Sequence, residues 1–351
     1  MTSITSTSYP VYNFNATPAI KTNNSFNSTT QPFQCLTHFG PYKLTFQIII
    51  IVIGAMILVT GVLGNLMVVR TVYQNRHGSM SSLTYTLIAS LSIYDIFVVI
   101  LTLPFTIAED LLCYFPFGRV LCHLFKPLPA FFATGSVFTM TAIGIDRYRA
   151  VACSLEYRGN QKRKALMLVG IFILGFICSL TSFILTRYDD ETSPEQPICY
   201  MNFITLTGSE IYVPSTFVFL FILPLMITIT IYLRVIAYLR WLGESKNNLL
   251  KKNRVFYNAA ARSSIKMMLV ITMLFVACWL PLYCCFFIIA FRVLPFATTP
   301  HFYVMYAICH LLSYINAVAN PIIYAGFNKK FRSAFKSTGY AGEAQTRYTV
   351  N

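Results

Sequence analysis

The sequence predicts an all-α fold, a seven-transmembrane helix bundle, and three observations carry that prediction. The chain has 351 residues, 56% of them apolar or aromatic, and its mean hydropathy is +0.60. Only 11% are charged, against about 25% in a soluble domain. Seven apolar runs fall near 45–70, 82–108, 120–150, 165–186, 211–238, 265–291 and 302–325, each long enough for the roughly 20 residues that cross a bilayer. The third observation is where the charges sit. Of the 27 Lys and Arg, six lie on one predicted side, Lys21, Lys43, Arg119, Lys126, Arg187 and Arg292, and the other 21 on the opposite side. The positive-inside rule then puts the N-terminus outside and the C-terminus in the cytoplasm of a multi-pass plasma-membrane protein. The net charge of +15 signals no nucleic-acid partner, because the basic residues lie between apolar runs and not on one solvated face.

Taken in order, residues 1–43 are a polar, Ser/Thr/Asn-rich tail without the basic start and apolar stretch of a signal peptide. Three glycosylation sequons, at Asn15, Asn23 and Asn27, favour an extracellular tail. The bundle occupies 44–326. In residues 327–337, Phe327, Phe331 and Phe335 recur every fourth position with Lys and Arg on the flanks. That pattern predicts a short amphipathic helix on the inner leaflet. A cytoplasmic tail, 338–351, ends the chain.

Several residues stand out against this apolar background. Asp95 lies in the middle of the second run, where a charge costs at least about 2.5–3.5 kcal/mol, so it needs a partner or a role. Asn65, Ser136, Asn316 and Asn320 fall at comparable depth. Oxygen ligands around one carboxylate suit a small hard cation or a proton, and equally a polar knot that fixes helix packing. Asp146-Arg147-Tyr148 closes the third run. Pro224, Pro281 and Pro321 lie inside the fifth, sixth and seventh runs. Each frees a carbonyl that a neighbouring side chain must satisfy in a membrane.

These motifs resemble the signature of rhodopsin-like (class A) G-protein-coupled receptors. The match comprises Gly64-Asn65 on span one, Asp95 on two, Asp146-Arg147-Tyr148 on three and Pro224 with Tyr232 on five. Cys278-Trp279-Leu280-Pro281 on six and Asn320-Pro321-Ile-Ile-Tyr324 on seven complete it. The resemblance implies a disulfide between Cys122 and Cys199, with Cys35 and Cys113 left as candidates for a second bridge. It implies a sodium site at Asp95, Ser136, Asn316 and Asn320, with sodium as an allosteric ion and no other cofactor. Asp146, Arg147 and Tyr148 match the family's switch, Tyr232 and Tyr324 the tyrosines that swing toward it, and Trp279 the pivot beneath the ligand. Pro224, Val137 and Phe275 match the packing cluster below that pivot. The sequence also departs from the pattern. Span four has no Trp, Pro127 and Pro129 sit in upper span three, and Ala261 stands where some relatives keep an acid that restrains the arginine, so raised basal activity is expected.

The implied partners are an extracellular ligand, a heterotrimeric G protein and, with few phosphorylatable tail residues, weakly arrestin. Two ligand classes lose their essential group. The aspartate that holds amines is replaced by Pro129, and the retinal lysine by Tyr314. Seven of the twelve acidic residues lie on the predicted outer side: Glu109, Asp110, Asp189, Asp190, Glu191, Glu195 and Glu210. An acidic mouth concentrates cationic ligands. Glu109 and Asp110 would form its rim above Tyr283, Phe286, Tyr306, His310 and Tyr314, a cup suited to a basic, aromatic, amidated neuropeptide. Lys126, facing the same pocket, keeps a lipid or small acidic ligand as the alternative. Fragments such as Asn316-Ala-Val-Ala-Asn-Pro-Ile-Ile-Tyr resemble galanin, neuropeptide Y and RFamide receptors, and others resemble bombesin and endothelin receptors. An enzyme is not expected. An intramembrane aspartyl protease needs a second carboxylate near Asp95, and Asp146 lies at the membrane edge. A transporter would show repeats that the sequence lacks.

Overall fold

The structure is a computed structural model and describes residues 43–78, 80–152, 161–192, 194–203, 207–244, 248–293 and 300–334. The sequons at Asn15, Asn23 and Asn27, Cys35, Phe335 and the side chain of Ala261 lie outside that description.

Seven helical segments are long and apolar enough to cross a membrane: Lys43–Gln74, Leu83–Leu112, Gly118–Arg149, Gln161–Leu185, Gly208–Tyr238, Lys266–Ala290 and His301–Phe327. They are called spans one to seven. Span one is helix α1 (Lys43–Gln74); span two is α2 (Leu83–Leu101) followed by α3 (Leu103–Leu112). Span three is α4 (Gly118–Phe125) and α5 (Leu128–Ala152), and span four is α6 (Gln161–Leu185). Between spans four and five lies a hairpin of β1 (Thr186–Asp189) and β2 (Ile198–Met201), antiparallel with Tyr188 opposite Cys199. Span five is α7 (Gly208–Phe217), a π turn at Val218–Ile222 and α8 (Leu223–Glu244). Span six lies within α9 (Asn248–Ala290), and span seven is α10 (Pro300–Phe327).

Two breaks follow from proline. Span three is interrupted at Lys126-Pro127, as Pro127 and Pro129 predict. The π turn ends just before Pro224, which lacks the N–H that would continue the ladder there. It leaves Phe221 3% exposed against Phe275 and Tyr283. Helix α9 runs 43 residues, about 65 Å at 1.5 Å per residue. Its polar first part therefore extends beyond a bilayer, which is why hydropathy marked only its second half.

Lipid-facing side chains on spans one and four are apolar and exposed, among them Ile51, Val59, Leu166 and Phe172. The bundle interior is where the polar residues went. Asn65, Asp95, Asn320 and Thr139 are almost wholly buried. Spans two, three and four meet closely at Gly135, where an added Cβ would lie 2.6 Å from the Tyr94 ring. The residues after span seven form a short helical turn, 329–334. Its Phe331 is fully buried, stacked on Tyr324 at 5.6 Å and beside Tyr85 at 5.7 Å. The expected amphipathic face thus docks on the bundle at Phe331.

The sharpest sequence expectation concerned freed carbonyls. Pro321 has no N–H to give the carbonyl of Ala317, and Asn65 Nδ2 donates to that oxygen at 2.8 Å and to Gly61 O at 2.9 Å. Gly64 makes the approach possible, since a Cβ there would sit 3.2 Å from Pro321 Cγ. Asn65→Ala therefore lowers the melting temperature of purified protein by an amount equivalent to about 1–3 kcal/mol, the cost of an unmet buried carbonyl. Pro321→Ala in the same chain restores most of that loss, because residue 321 then supplies an N–H. Melts of the single and double variants decide it: equal losses would mean that the bond is dispensable.

Candidate functional site

At the hairpin end, Cys122 at the start of span three and Cys199 in β2 are joined, with Cα atoms 5.7 Å apart. Phe115, Cys122 and Cys199 form a small apolar cluster, and Phe115 N donates to Pro197 O at 2.7 Å. The hairpin is thereby tied to the ends of spans two and three. Cys113 is also disulfide-bonded.

Below the hairpin, α3 carries Glu109 and Asp110 inward. The break at Lys126 turns that side chain toward them, and Lys126 Nζ reaches Glu109 Oε1 and Oε2 at 2.5 and 2.6 Å, both groups roughly 30% exposed. Asp110 is 7% exposed and lies 3.1 Å from His310 Nδ1. Tyr303 donates its hydroxyl to the Asp110 carbonyl. From His310 an aromatic wall continues: Tyr306 at 4.3 Å, Phe286 at 6.4 Å from Tyr306, Tyr283 at 5.9 Å from Phe286. Tyr283 then meets Phe217 and Phe221. Tyr314 stands on the span-two side, its hydroxyl 3.1 Å from Thr102 and 2.9 Å from Thr106.

The carboxylates of the expected acidic rim therefore have partners within the chain. Glu109 is matched by the Lys126 ammonium, and Asp110 has the His310 ring as a hydrogen-bonding neighbour. Asp190 is paired with Arg119 at 3.0 Å and Glu210 with Arg292 at 3.8 Å. Sequence counting saw the carboxylates but not their partners, because each pair joins segments far apart in the chain. Tyr303, Thr102 and Thr106 were not singled out either. The Thr102/Thr106 spacing of four in an apolar run was the available signal for two of them.

At mid-depth, Asp95 is 2% exposed and accepts a 2.8 Å hydrogen bond from Asn320 Nδ2. Ser136 and Asn316 are 7% and 5% exposed. Ser92 Oγ, Asn316 Oδ1 and Asn320 Oδ1 are buried oxygens with no protein partner. One carboxylate with uncharged oxygens around it fits a monovalent hard cation. Among the described residues, no three His, Cys, Asp or Glu converge as a softer metal would require.

Toward the other end, Trp279 packs on Phe275 at 6.0 Å, and Phe275 on Phe221 at 5.6 Å, with Val137 buried in the same cluster. Pro281 follows Trp279 by two residues in span six, and Pro224 follows Phe221 by three in span five. Asp146 is 1% exposed, holds Arg147 Nη2 at 3.1 Å and accepts a hydrogen bond from the Thr84 hydroxyl. Tyr148 is half-buried, while Tyr232 and Tyr324 are buried at the same end.

The family model described as 7 transmembrane receptor (rhodopsin family) matches residues 64–324. The chain belongs to this family. Its members are signalling receptors, not enzymes, and the chain is a multi-pass membrane protein. The RYamide receptor of Drosophila melanogaster is 31% identical over 303 residues, 83% of this chain and 63% of the relative, so the chain spans less than two thirds of that protein. Galanin receptor 2b of Danio rerio is 28% identical over 293 residues, 83% of this chain and 74% of its own. The histamine H2 receptor of Cavia porcellus is 30% identical over 321 residues, 89% and 83% of the two chains. Neuropeptide receptors thus stand among the relatives beside an amine receptor of similar identity, and whole-chain likeness does not separate their ligands.

One titratable group outside the membrane makes the hairpin pH-dependent. Burial pushes the Asp189 carboxyl up, but hydrogen bonds from Thr192 N–H, the Thr192 hydroxyl and Glu191 N–H outweigh that and hold it below the usual carboxylate range. Its contribution is fully present above the unfolded value near about 3.9 and is lost as pH falls through the lower folded value. Hydrogen-exchange protection at Glu191 and Thr192 should accordingly collapse in strong acid. In Asp189→Asn the protection should be weaker and no longer change over that range. Protection unchanged in acid in the parent chain would remove the carboxylate from this role.

Proposed function

We propose that this receptor binds a basic, aromatic peptide, amidated in the simplest case, at its hairpin end and activates a heterotrimeric G protein at the opposite end. The observation that carries this reading is the wall running from Tyr283 through Phe286, Tyr306 and His310 to the Asp110 carboxylate, beneath a disulfide-tied hairpin. An aromatic surface ending on an acid receives a ring and a cation together. Relatives named for RYamide and galanin agree with a peptide. Histamine belongs to its own receptor; here Pro129 stands at the position where the amine-binding aspartate is expected. The lipid or small-acid alternative rests on Lys126, whose ammonium an anionic ligand would take from Glu109.

The charge asymmetry supports an orientation with the hairpin and the sequon-bearing tail outside the cell and the Arg147 end inside. Activation is a population shift. A ligand that draws Asp110 and the aromatic wall together repacks Trp279 on Phe275. Span six then swings outward about Pro281, Arg147 leaves Asp146, and Tyr232 and Tyr324 close behind it on the inserted G-protein helix. Asp95, Ser136, Asn316 and Asn320 are the residues that would hold sodium, which supplies positive charge to the otherwise unpaired Asp95 and favours the resting packing.

G-protein dissociation in cells, screened across G-protein families against amidated basic-aromatic peptides, tests the ligand class. Arg147→Ala abolishes every response. Asp110→Asn weakens peptide potency about ten- to hundredfold, the size of a lost charge-assisted hydrogen bond. Glu109→Gln costs less, because Lys126 already neutralises that acid. Silence toward all peptides, with responses to lipids or small acids that vanish in Lys126→Gln, would replace the peptide by the anionic ligand. Exchanging sodium for choline should raise agonist potency in the parent chain and leave Asp95→Asn unaffected; equal shifts in both would locate the sodium effect elsewhere.

A further inference from the structure

Lys164 is an unusual lysine. It sits in the first turn of span four, 8% exposed, while Lys162 two residues before it is exposed. A basic residue that only served membrane orientation would stay in water as Lys162 does, since burying an ammonium carries a desolvation cost of several kcal/mol. Lys164 Nζ instead donates to the carbonyl of Ser81, across 83 positions of chain. Ser81 immediately precedes Ser82, the N-cap of α2, and Ser82 makes no side-chain capping bond. The start of α2 is therefore held from outside its own sequence. Ser82 O accepts from Tyr85 N at 3.2 Å and from Thr86 N at 3.4 Å, so fixing residue 81 fixes this first turn. That turn carries Thr84, 3% exposed, whose hydroxyl donates to Asp146 Oδ2, the same oxygen that binds Arg147.

We propose that Lys164 is a positioning residue for the switch: its bond to Ser81 sets the first turn of α2 so that Thr84 restrains Asp146 and, through it, Arg147. The chain thus places on span four and span two a restraint on the resting arginine. Its sequence offers no acid at Ala261 for the same purpose. The Thr84 hydroxyl fixes the orientation of the Asp146 carboxylate, so that the oxygen facing Arg147 is held in place. Loosening α2 releases that hydrogen bond without touching either switch residue.

The signalling half of the test rests on the G-protein reading above, so a second readout is independent of it. Basal G-protein dissociation, normalised to surface receptor, is measured for Lys164→Met, Thr84→Val, their double variant and Lys164→Arg, with Asp146→Asn as the control. Lys164→Met and Thr84→Val should each raise basal signalling about fivefold, as expected for one lost hydrogen bond. The double variant should match Thr84→Val alone, and Lys164→Arg, which keeps a donor, should recover most of the resting state. Flat basal signalling in Lys164→Met beside a raised Asp146→Asn overturns the proposal, and so do effects that multiply in the double variant. If Asp146→Asn is also silent, the switch reading fails, and melting of the purified variants decides Lys164 by itself. Non-additive losses for Lys164→Met and Thr84→Val support the linkage, and additive losses overturn it.

Discussion

Seven apolar helices can pack side by side in many ways, and the bond from Asn65 to the carbonyl of Ala317 removes most of that freedom. The membrane offers no water to the oxygen that Pro321 leaves unpaired. Another helix must supply the donor, and only a glycine beside it allows the approach. Asn65, Gly64, Ala317 and Pro321 thus fix the register and distance of spans one and seven. Asn320, adjacent to that proline, is thereby held against Asp95 of span two. One backbone defect ties three spans together and sets the mid-depth polar site at their junction.

The outer mouth works on a different principle. Its carboxylates are met from within the chain, Glu109 by the Lys126 ammonium and Asp110 by the His310 ring, and the two contacts differ in burial. The shallower pair is partly screened by solvent and exchanges partners at little cost. In the deeper contact Asp110 is nine-tenths buried and His310 about four-fifths, so a cation that reached Asp110 would have to repay the loss of His310. The net field of the mouth is consequently weaker than its count of acids implies.

How much of this was legible in the sequence varies with the range of the interaction. The seven spans were legible because hydropathy is local and the bilayer fixes the length each needs; observed and expected limits differ by a few residues. The break at Lys126-Pro127 was legible because proline acts on its own helix. The β1–β2 hairpin was not, since Thr186–Asp189 and Ile198–Met201 are too short and mixed to show a period of two. The π turn was not legible, because Pro224 announces a missing N–H but not how the preceding turn rearranges around it. The acidic rim was half legible: types and depths of the residues could be read, but the pairing of Lys126 with Glu109 depends on the helix break that turns Lys126 inward. Phe331 shows the same limit, its periodicity giving a face but not that the face docks on Tyr324 and Tyr85.

Among the described residues, the buried side-chain polar atoms without a protein partner fall mainly in three places, with Asn65 Oδ1 besides. Trp279 Nε1 lies beside Phe275 on span six; Asn320 Oδ1 lies on the residue bonded to Asp95, with Ser92 Oγ one turn before Asp95 on span two and Asn316 Oδ1 one turn before Asn320 on span seven; and Arg147 Nε, Tyr232 OH and Tyr324 OH lie toward the Asp146 end. Each such group raises the free energy of the packing in which it is found, by about 1–3 kcal/mol where neither water nor an ion meets it. A bundle satisfied in all of these places would occupy one deep minimum and could not be moved by a ligand of ordinary affinity. With these groups unmet, a second packing that satisfies a different subset lies within a few kcal/mol. The apolar contacts and the Asn65 bond keep spans one, two and seven in place through either packing. Spans five and six carry Pro214, Pro224 and Pro281, which interrupt their own hydrogen-bond ladders, and these are the spans that the proposed activation moves.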